Sequence, residues 1–179
     1  EEHIANITNL LRPMCEQKGL HCVITCRRRI QRGIFVDKVR LNQIILNLLS
    51  NSVKCTPSGG TVSYISDSEE LPGGQMRFGF EIRDTGIGMS DEFMNRIFTP
   101  FEQERANTGQ HFGGTGLGLS ITHNLVHMLQ GARKVESILG KGSVFTVTLP
   151  CHSADHPVAE VPDGKVVSGC VRLGLLVLM

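Results

Sequence analysis

Asn47, Asn51 and Lys54 stand at i, i+4 and i+7, so on a helix they line one face. A carboxamide offers neutral oxygen to a hard cation such as Mg²⁺ and N–H donors to phosphate. A lysine adds a point charge that suits phosphate. An ordinary solvated helix face has the same composition, so the stripe gains meaning only beside two glycine turns further along the chain. At the first of these, Asp84 precedes Thr85-Gly86-Ile87-Gly88. A carboxylate there can accept the exocyclic amine of adenine, and Gly86 and Gly88 let a base lie close to the backbone. At the second, Gly113-Gly114-Thr115-Gly116-Leu117-Gly118-Leu119 opens a helix. Glycines and helix N-terminal N–H groups favour phosphate oxygens. The spacing is neither Gly-x-x-x-x-Gly-Lys-Ser/Thr nor Gly-x-Gly-x-x-Gly, which excludes P-loop and Rossmann readings. Two glycine turns and an amide-bearing helix together point to a pocket for a nucleoside triphosphate. Phe98-Thr99-Pro100-Phe101 lies between them, and its paired phenylalanines fit either a lid hinge or packing under a loop.

These groups need elements to position them. Ile4, Ile7, Leu10, Leu11 and Met14 recur at helical spacing over 3–18, with Pro13 expected to kink or end that helix and Lys18-Gly19 to stop it. Residues 20–26 and 33–36 read as strands around a basic turn. Asp37 is an N-cap for a helix running to about Lys54. On that helix Leu41, Ile44, Ile45, Leu46, Leu48, Leu49 and Val53 cover over half the circumference. Arg40, Gln43, Asn47, Asn51 and Lys54 share the remaining arc of about 80°. Strands over 61–66 and 76–83 flank a polar connection, and the second ends at Asp84. Ser90 caps a short helix to Ile97. Residues 102–114 read as a mobile loop. A helix over about 115–129 is expected to bury Leu117, Ile121, Leu125 and Met128, and a hairpin over 133–149 closes the fold. From Pro150 a linker-like tail leads to an apolar end over 166–179.

Composition limits the alternatives. With 179 residues, 40% apolar and 20% charged, the chain suits one globular core and not a disordered segment. A net charge of +1 gives no electrostatic case for nucleic acid. The only basic cluster, Arg27-Arg28-Arg29 with Arg32, reads as a solvated strand end. The cysteines, Cys15, Cys22, Cys26, Cys55, Cys151 and Cys170, contain no Cys-x-x-Cys and read as buried free thiols in a reducing cytosol, so a cytoplasmic location is expected. No apolar run reaches the length of a membrane span, so no direct membrane contact is expected from this segment, which reads as a piece of something longer.

The ordered pieces resemble the ATP-binding catalytic domain of sensor histidine kinases, in the GHKL superfamily shared with chaperone, gyrase and mismatch-repair ATPases. The similarity rests on Asn47-Leu48-Leu49-Ser50-Asn51-Ser52-Val53-Lys54, Asp84-Thr85-Gly86-Ile87-Gly88, Phe98-Thr99-Pro100-Phe101 and Gly114-Thr115-Gly116-Leu117-Gly118-Leu119, and spans 3–149. It implies an α/β (α+β) two-layer sandwich, a mixed sheet with helices on one face (the Bergerat fold), as a catalytic domain over 1–150 with a tail over 151–179. It implies ATP and Mg²⁺ as cofactors, with Asn51 coordinating the metal helped by Asn47, Lys54 on phosphate and Asp84 on the adenine amine. The resemblance also puts Gly86, Gly88, Phe101, Gly114, Thr115, Gly116, Leu117, Gly118 and Leu119 around the nucleotide.

Three departures stand out. Cys55 replaces an aromatic common after the lysine. Arg133 stands where an inward apolar residue is common, which leaves that strand's register open. None of His3, His21, His111, His123, His127, His152 or His156 has the acidic and basic neighbours of a phosphoacceptor. The resemblance therefore implies two partners outside this chain: an upstream dimerisation and histidine phosphotransfer domain, and a response-regulator receiver domain. An ATP-driven clamp and a nucleotide-binding module without catalysis are the rival readings. The tail from Val166 fits the first strand of a following receiver domain or an unrelated end.

Overall fold

The structure is a computed structural model that describes residues 2–28, 34–102 and 116–153. In chain order it runs α1 (Glu2–Lys18), β1 (His21–Cys26), β2 (Ile34–Phe35), α2 (Lys38–Cys55), β3 (Thr61–Glu70), β4 (Gln75–Asp84), α3 (Asp91–Met94), α4 (Gly118–Met128), β5 (Ala132–Ile138) and β6 (Gly142–Ser153). The strands form one mixed sheet ordered β1-β3-β4-β6-β2, with β5 also on β6. β1 is parallel to β3 and every other pairing is antiparallel. The two strands beside the basic turn therefore lie on opposite sides of the sheet instead of pairing with each other.

Strand alternation decides what faces the helices. On β4 the buried set is Met76, Phe78, Phe80, Ile82 and then Asp84. Asp84 thus sits in the inward register, a carboxylate at the end of an apolar row. β3 contributes Val62 and Tyr64, and β6 contributes Phe145, Val147, Leu149 and Cys151. Helices α1 and α2 cover this face with Ile7, Leu11 and Cys15, and with Leu41, Ile44, Ile45, Leu48, Leu49 and Val53. The opposite face carries the charges. Arg27 pairs with Glu81 at 3.1 Å, and Arg28 with Asp67 at 2.8 Å. Exposed pairs of this kind add little stability. This part of the basic cluster is a solvated strand end, as its sequence suggests, while Arg29 and Arg32 lie outside the described residues.

Several expectations shift. Pro13 neither ends α1 nor stops it short of Lys18. It faces solvent, where water can satisfy the carbonyl that a proline cannot bond. β3 and β4 extend through the polar residues 67–70 and 75, because their outward side chains need no apolar partner. α3 ends at Met94, short of Ile97. Leu46, counted with the buried arc of α2, is 46% exposed.

The inward face of α4 is also rotated from the expected stripe. Ser120, Thr122 and Val126 are buried and Met128 is 56% exposed. The hydroxyls tolerate burial because Ser120 and Thr122 donate to the carbonyls of Leu117 and Gly118, each at 2.9 Å. β6 passes through Pro150 to Ser153. Pro150 falls between Thr148, where pairing with β5 ends, and His152, where pairing with β2 begins. A missing N–H is tolerable at such a gap. The described cysteines form no disulfide. Cys15 and Cys151 are buried as expected, but Cys22 and Cys55 are only half-buried and Cys26, at the end of an edge strand, is exposed. No cluster of three or more His, Cys, Asp or Glu side chains is placed to hold a metal among the described residues.

Candidate functional site

α2 is the base of the site. Asp37 caps it, its carboxylate accepting the Arg40 N–H at 3.0 Å, and this fixes where the helix starts and hence which way its polar stripe faces. Asn47, Asn51 and Lys54 are half-buried along that stripe. The first residue of α4 lies against it. Asn47 Nδ2 donates to the Gly118 carbonyl at 3.3 Å, and a Cβ on Gly118 would come within 3.6 Å of Asn51 Nδ2. Leu117, the cap residue of α4, provides no side-chain hydrogen bond to the helix. A helix N-terminus that its own cap residue leaves without a side-chain bond, and whose first N–H groups carry partial positive charge, therefore adjoins two carboxamides. This end of the site suits an anion and a hard cation together.

The C-terminal end of α2 is built differently. Gly86 approaches it so closely that a Cβ would lie 2.6 Å from the Cys55 carbonyl oxygen, which accepts the Ile87 N–H at 3.1 Å. Gly88, at φ +65°, docks against the β5–β6 turn, where a Cβ would meet the Ile138 carbonyl. Both glycines thus have a packing reason to be glycine: they bring Asp84 beside α2. Asp84 is 8% exposed. Its Oδ1 accepts N–H bonds from Gly86 at 3.0 Å and Ser143 at 3.2 Å, and its Oδ2 accepts the Ser52 hydroxyl at 2.9 Å. Burial pushes the carboxyl above the usual aspartate range, and these hydrogen bonds oppose that shift.

Gly116, at φ +70°, packs on Phe101, whose N–H reaches the Gly116 carbonyl at 3.1 Å. That bond joins the two ends of the segment 103–115. Gly114 and Thr115 lie outside the described residues, as does most of the loop expected over 102–114. Phe101 is 73% exposed, whereas Phe98 packs against the core. The Arg133 guanidinium lies 4.1 Å from the Phe98 ring centroid, and the His123 ring packs against the same phenylalanine. Arg133 pairs with Val147 in the β5–β6 ladder, so it fills an apolar position by stacking on an aromatic ring. Leu119 packs on the core beside α2, and Leu117 is half-buried at the cap.

Sequence reasoning missed three contributors. Ser52 and Ser143 hold Asp84. Lys18 Nζ donates to the Val53 and Lys54 carbonyls at the end of α2, at 2.8 and 2.5 Å. A lysine just before a helix-stopping glycine suggested only the end of α1, although a cation can equally serve another helix's C-terminus.

Residues 36–153 match the family described as histidine kinase-, DNA gyrase B-, and HSP90-like ATPase. The chain is 43% identical to the autoinducer 2 sensor kinase/phosphatase LuxQ of Vibrio parahaemolyticus, over 90% of this chain and 19% of that protein. It is 36% identical to the sensor histidine kinase RcsC of Escherichia coli, over 87% of this chain and 16% of that protein. It therefore spans a fifth or less of the length of these relatives. Among solved structures, full-length ShkA in complex with AMPPNP matches with TM-score 0.66 and 31% identity, over 87% of this chain and 30% of that one. The catalytic domain of histidine kinase ThkA shares the fold, with TM-score 0.64 and 23% identity over 83% of this chain and 92% of that one. The chain belongs to the histidine kinase-, DNA gyrase B- and HSP90-like ATPase family, and it is an ATP-binding catalytic domain of the sensor histidine kinase kind.

Proposed function

We propose that this chain holds Mg·ATP and donates its γ-phosphoryl group to a histidine on a dimerisation domain outside the chain. The observation that carries this reading is the meeting of the Asn47–Asn51 stripe with the N-terminus of α4, which the Leu117 side chain does not cap, on the same helix whose far end adjoins a buried Asp84. Two neutral carboxamides fit Mg²⁺, which keeps most of its waters and takes substrate phosphate oxygens in place of a full protein cage. Bound there, the ion would neutralise charge between the phosphates. Asn51 holds it, helped by Asn47, and Lys54 answers phosphate charge. Asp84 accepts the adenine amine from a turn that Gly86 and Gly88 dock in place. Backbone at Gly114, Gly116 and Gly118, with Thr115, Leu117, Leu119 and Phe101 around it, closes the phosphate side. Phosphoryl transfer asks mainly for such positioning and charge neutralisation.

The catalytic domain of this reading, expected over 1–150, takes in β6 through Ser153, and the linker or tail after it is either the start of a following domain or an unrelated end. The phosphoryl group passes on to a response-regulator receiver, and the whole works in the cytoplasm, as part of a membrane-anchored sensor where one exists. Among the described residues no helix is long and apolar enough to cross a membrane. The test supplies a separate histidine-bearing dimerisation domain and γ-labelled ATP. Acid-labile phosphohistidine is expected with the unaltered chain and not with Asn51→Ala. Steady ATP hydrolysis without phosphohistidine would instead indicate a clamp ATPase. ATP binding with neither outcome would indicate a non-catalytic module.

A further inference from the structure

Ser52 lies off the polar stripe, in the buried arc of α2, and is 1% exposed. A buried helical hydroxyl normally returns its proton to a carbonyl of its own helix one turn back. Thr8, Thr56 and Thr122 do this, donating to the carbonyls of Ile4, Ser52 and Gly118. Ser52 instead donates across to Asp84 Oδ2 at 2.9 Å. An ionised carboxylate has about four acceptor positions. Among the described residues Gly86 and Ser143 take two on Oδ1, and Ser52 takes one on Oδ2. One position on Oδ2 is left. The backbone donors grip only one oxygen, and rotation about the terminal bond of an aspartate is broad. Ser52 fixes that rotation, since it alone of the three holds the second oxygen.

We propose that Ser52 is a positioning residue that sets Asp84 Oδ2 to receive one further donor, the exocyclic amine of adenine, and so contributes to base selectivity. This rests on reading Asp84 as the adenine acceptor. The acceptor edge needs both features seen here: a carboxylate fixed in rotation and one of its positions unfilled by the described residues.

The experiment compares ATP with purine riboside triphosphate, which lacks the exocyclic amine, by titration calorimetry on this chain. Ser52→Ala is expected to weaken ATP about tenfold while leaving purine riboside triphosphate within about twofold, the size of a hydrogen bond to a charged group misdirected. An equal loss for both nucleotides would mean that Ser52 only supports the fold, and no loss for either would mean that Asp84 needs no such support. Both results overturn the proposal. Asp84→Asn separates the underlying reading. If it leaves the ratio of the two affinities unchanged, Asp84 does not read the amine at all. If it abolishes the ratio and Ser52→Ala does not lower it, the Ser52 proposal alone fails. Should Ser52→Ala not fold, Ser52→Cys keeps nearly the same volume with a weaker donor. It is read by the same ratio, which must fall for the proposal to stand.

Discussion

Asp84→Asn changes one atom from acceptor to donor and leaves the side-chain shape intact. The asparagine oxygen can keep both backbone N–H bonds of Oδ1, from Gly86 and Ser143. Its Nδ2 then faces the Ser52 oxygen, which can accept in place of donating. The substitution also removes a charge that burial disfavours. The fold should therefore survive, with stability within about 1 kcal/mol of the parent. The open position changes character, because an N–H would now confront the N–H of the adenine amine. What is lost is a hydrogen bond to a charged acceptor, about 1.5–3 kcal/mol. At about 1.4 kcal/mol per tenfold, ATP affinity should fall roughly 10- to 150-fold. Titration calorimetry measures it, with circular dichroism and a urea midpoint as fold controls. A folded Asp84→Asn protein that binds ATP as tightly as the parent would refute the adenine assignment. A carboxyl raised by burial adds a pH signature. Protonation removes the acceptor, so ATP affinity should decline on acidification from a higher pH than an ordinary aspartate would give, and Asp84→Asn should lack that component.

Three further outcomes test the frame around the site. His3 is buried against Tyr64, with Nε2 and the hydroxyl 2.7 Å apart, and burial lowers its pKa from 6.5 to about 4. The unfolded chain binds the proton first, so this contribution to stability is complete above about pH 6.5 and is lost as pH falls toward 4. The full loss is on the order of 3 kcal/mol, and His3→Gln should flatten that limb in urea titrations at stepped pH. Gly142→Ala places a Cβ against the Asp84 carbonyl at φ +109° and should cost about 2 kcal/mol or more. An unchanged urea midpoint would contradict the close approach there. Arg133→Leu removes the stack on Phe98 but also a buried Nε that has no partner among the described residues. The two effects oppose each other, so stability should change by less than about 1 kcal/mol, and a larger loss would show that the stack dominates.

Legibility in the sequence tracked the strength of the local physics. The stripe of α2 and its Asp37 cap were readable because apolar period and capping chemistry act within a few residues. Asp84 at a strand end was readable for the same reason. Burial of Ser120 and Thr122 was not, since hydrophobic period counts hydroxyls as polar while the helix satisfies them with its own carbonyls. Leu46 and Met128 erred in the other direction, as apolar residues that the packing leaves outside. The parallel pairing of β1 with β3 depends on how far the chain travels through α2, which no local pattern encodes.

Ser52 shows why the site itself was only half readable. It sits among apolar residues on a helix face, and its partner is 32 residues away. Yet a lone hydroxyl in a buried arc must find an acceptor. If it does not bond its own helix, the acceptor lies at the end of another element. The inward register of β4 ends in such an acceptor. The consequence is an asymmetry along α2. At its C-terminal end, donors among the described residues take all but one position of a buried carboxylate, a build suited to discriminating a base. Toward its middle, Asn47 and Asn51 meet a helix end that its own cap residue, Leu117, leaves without a side-chain bond, a build suited to charge that arrives with a ligand. Selectivity and charge neutralisation are thus assigned to different stretches of one helix.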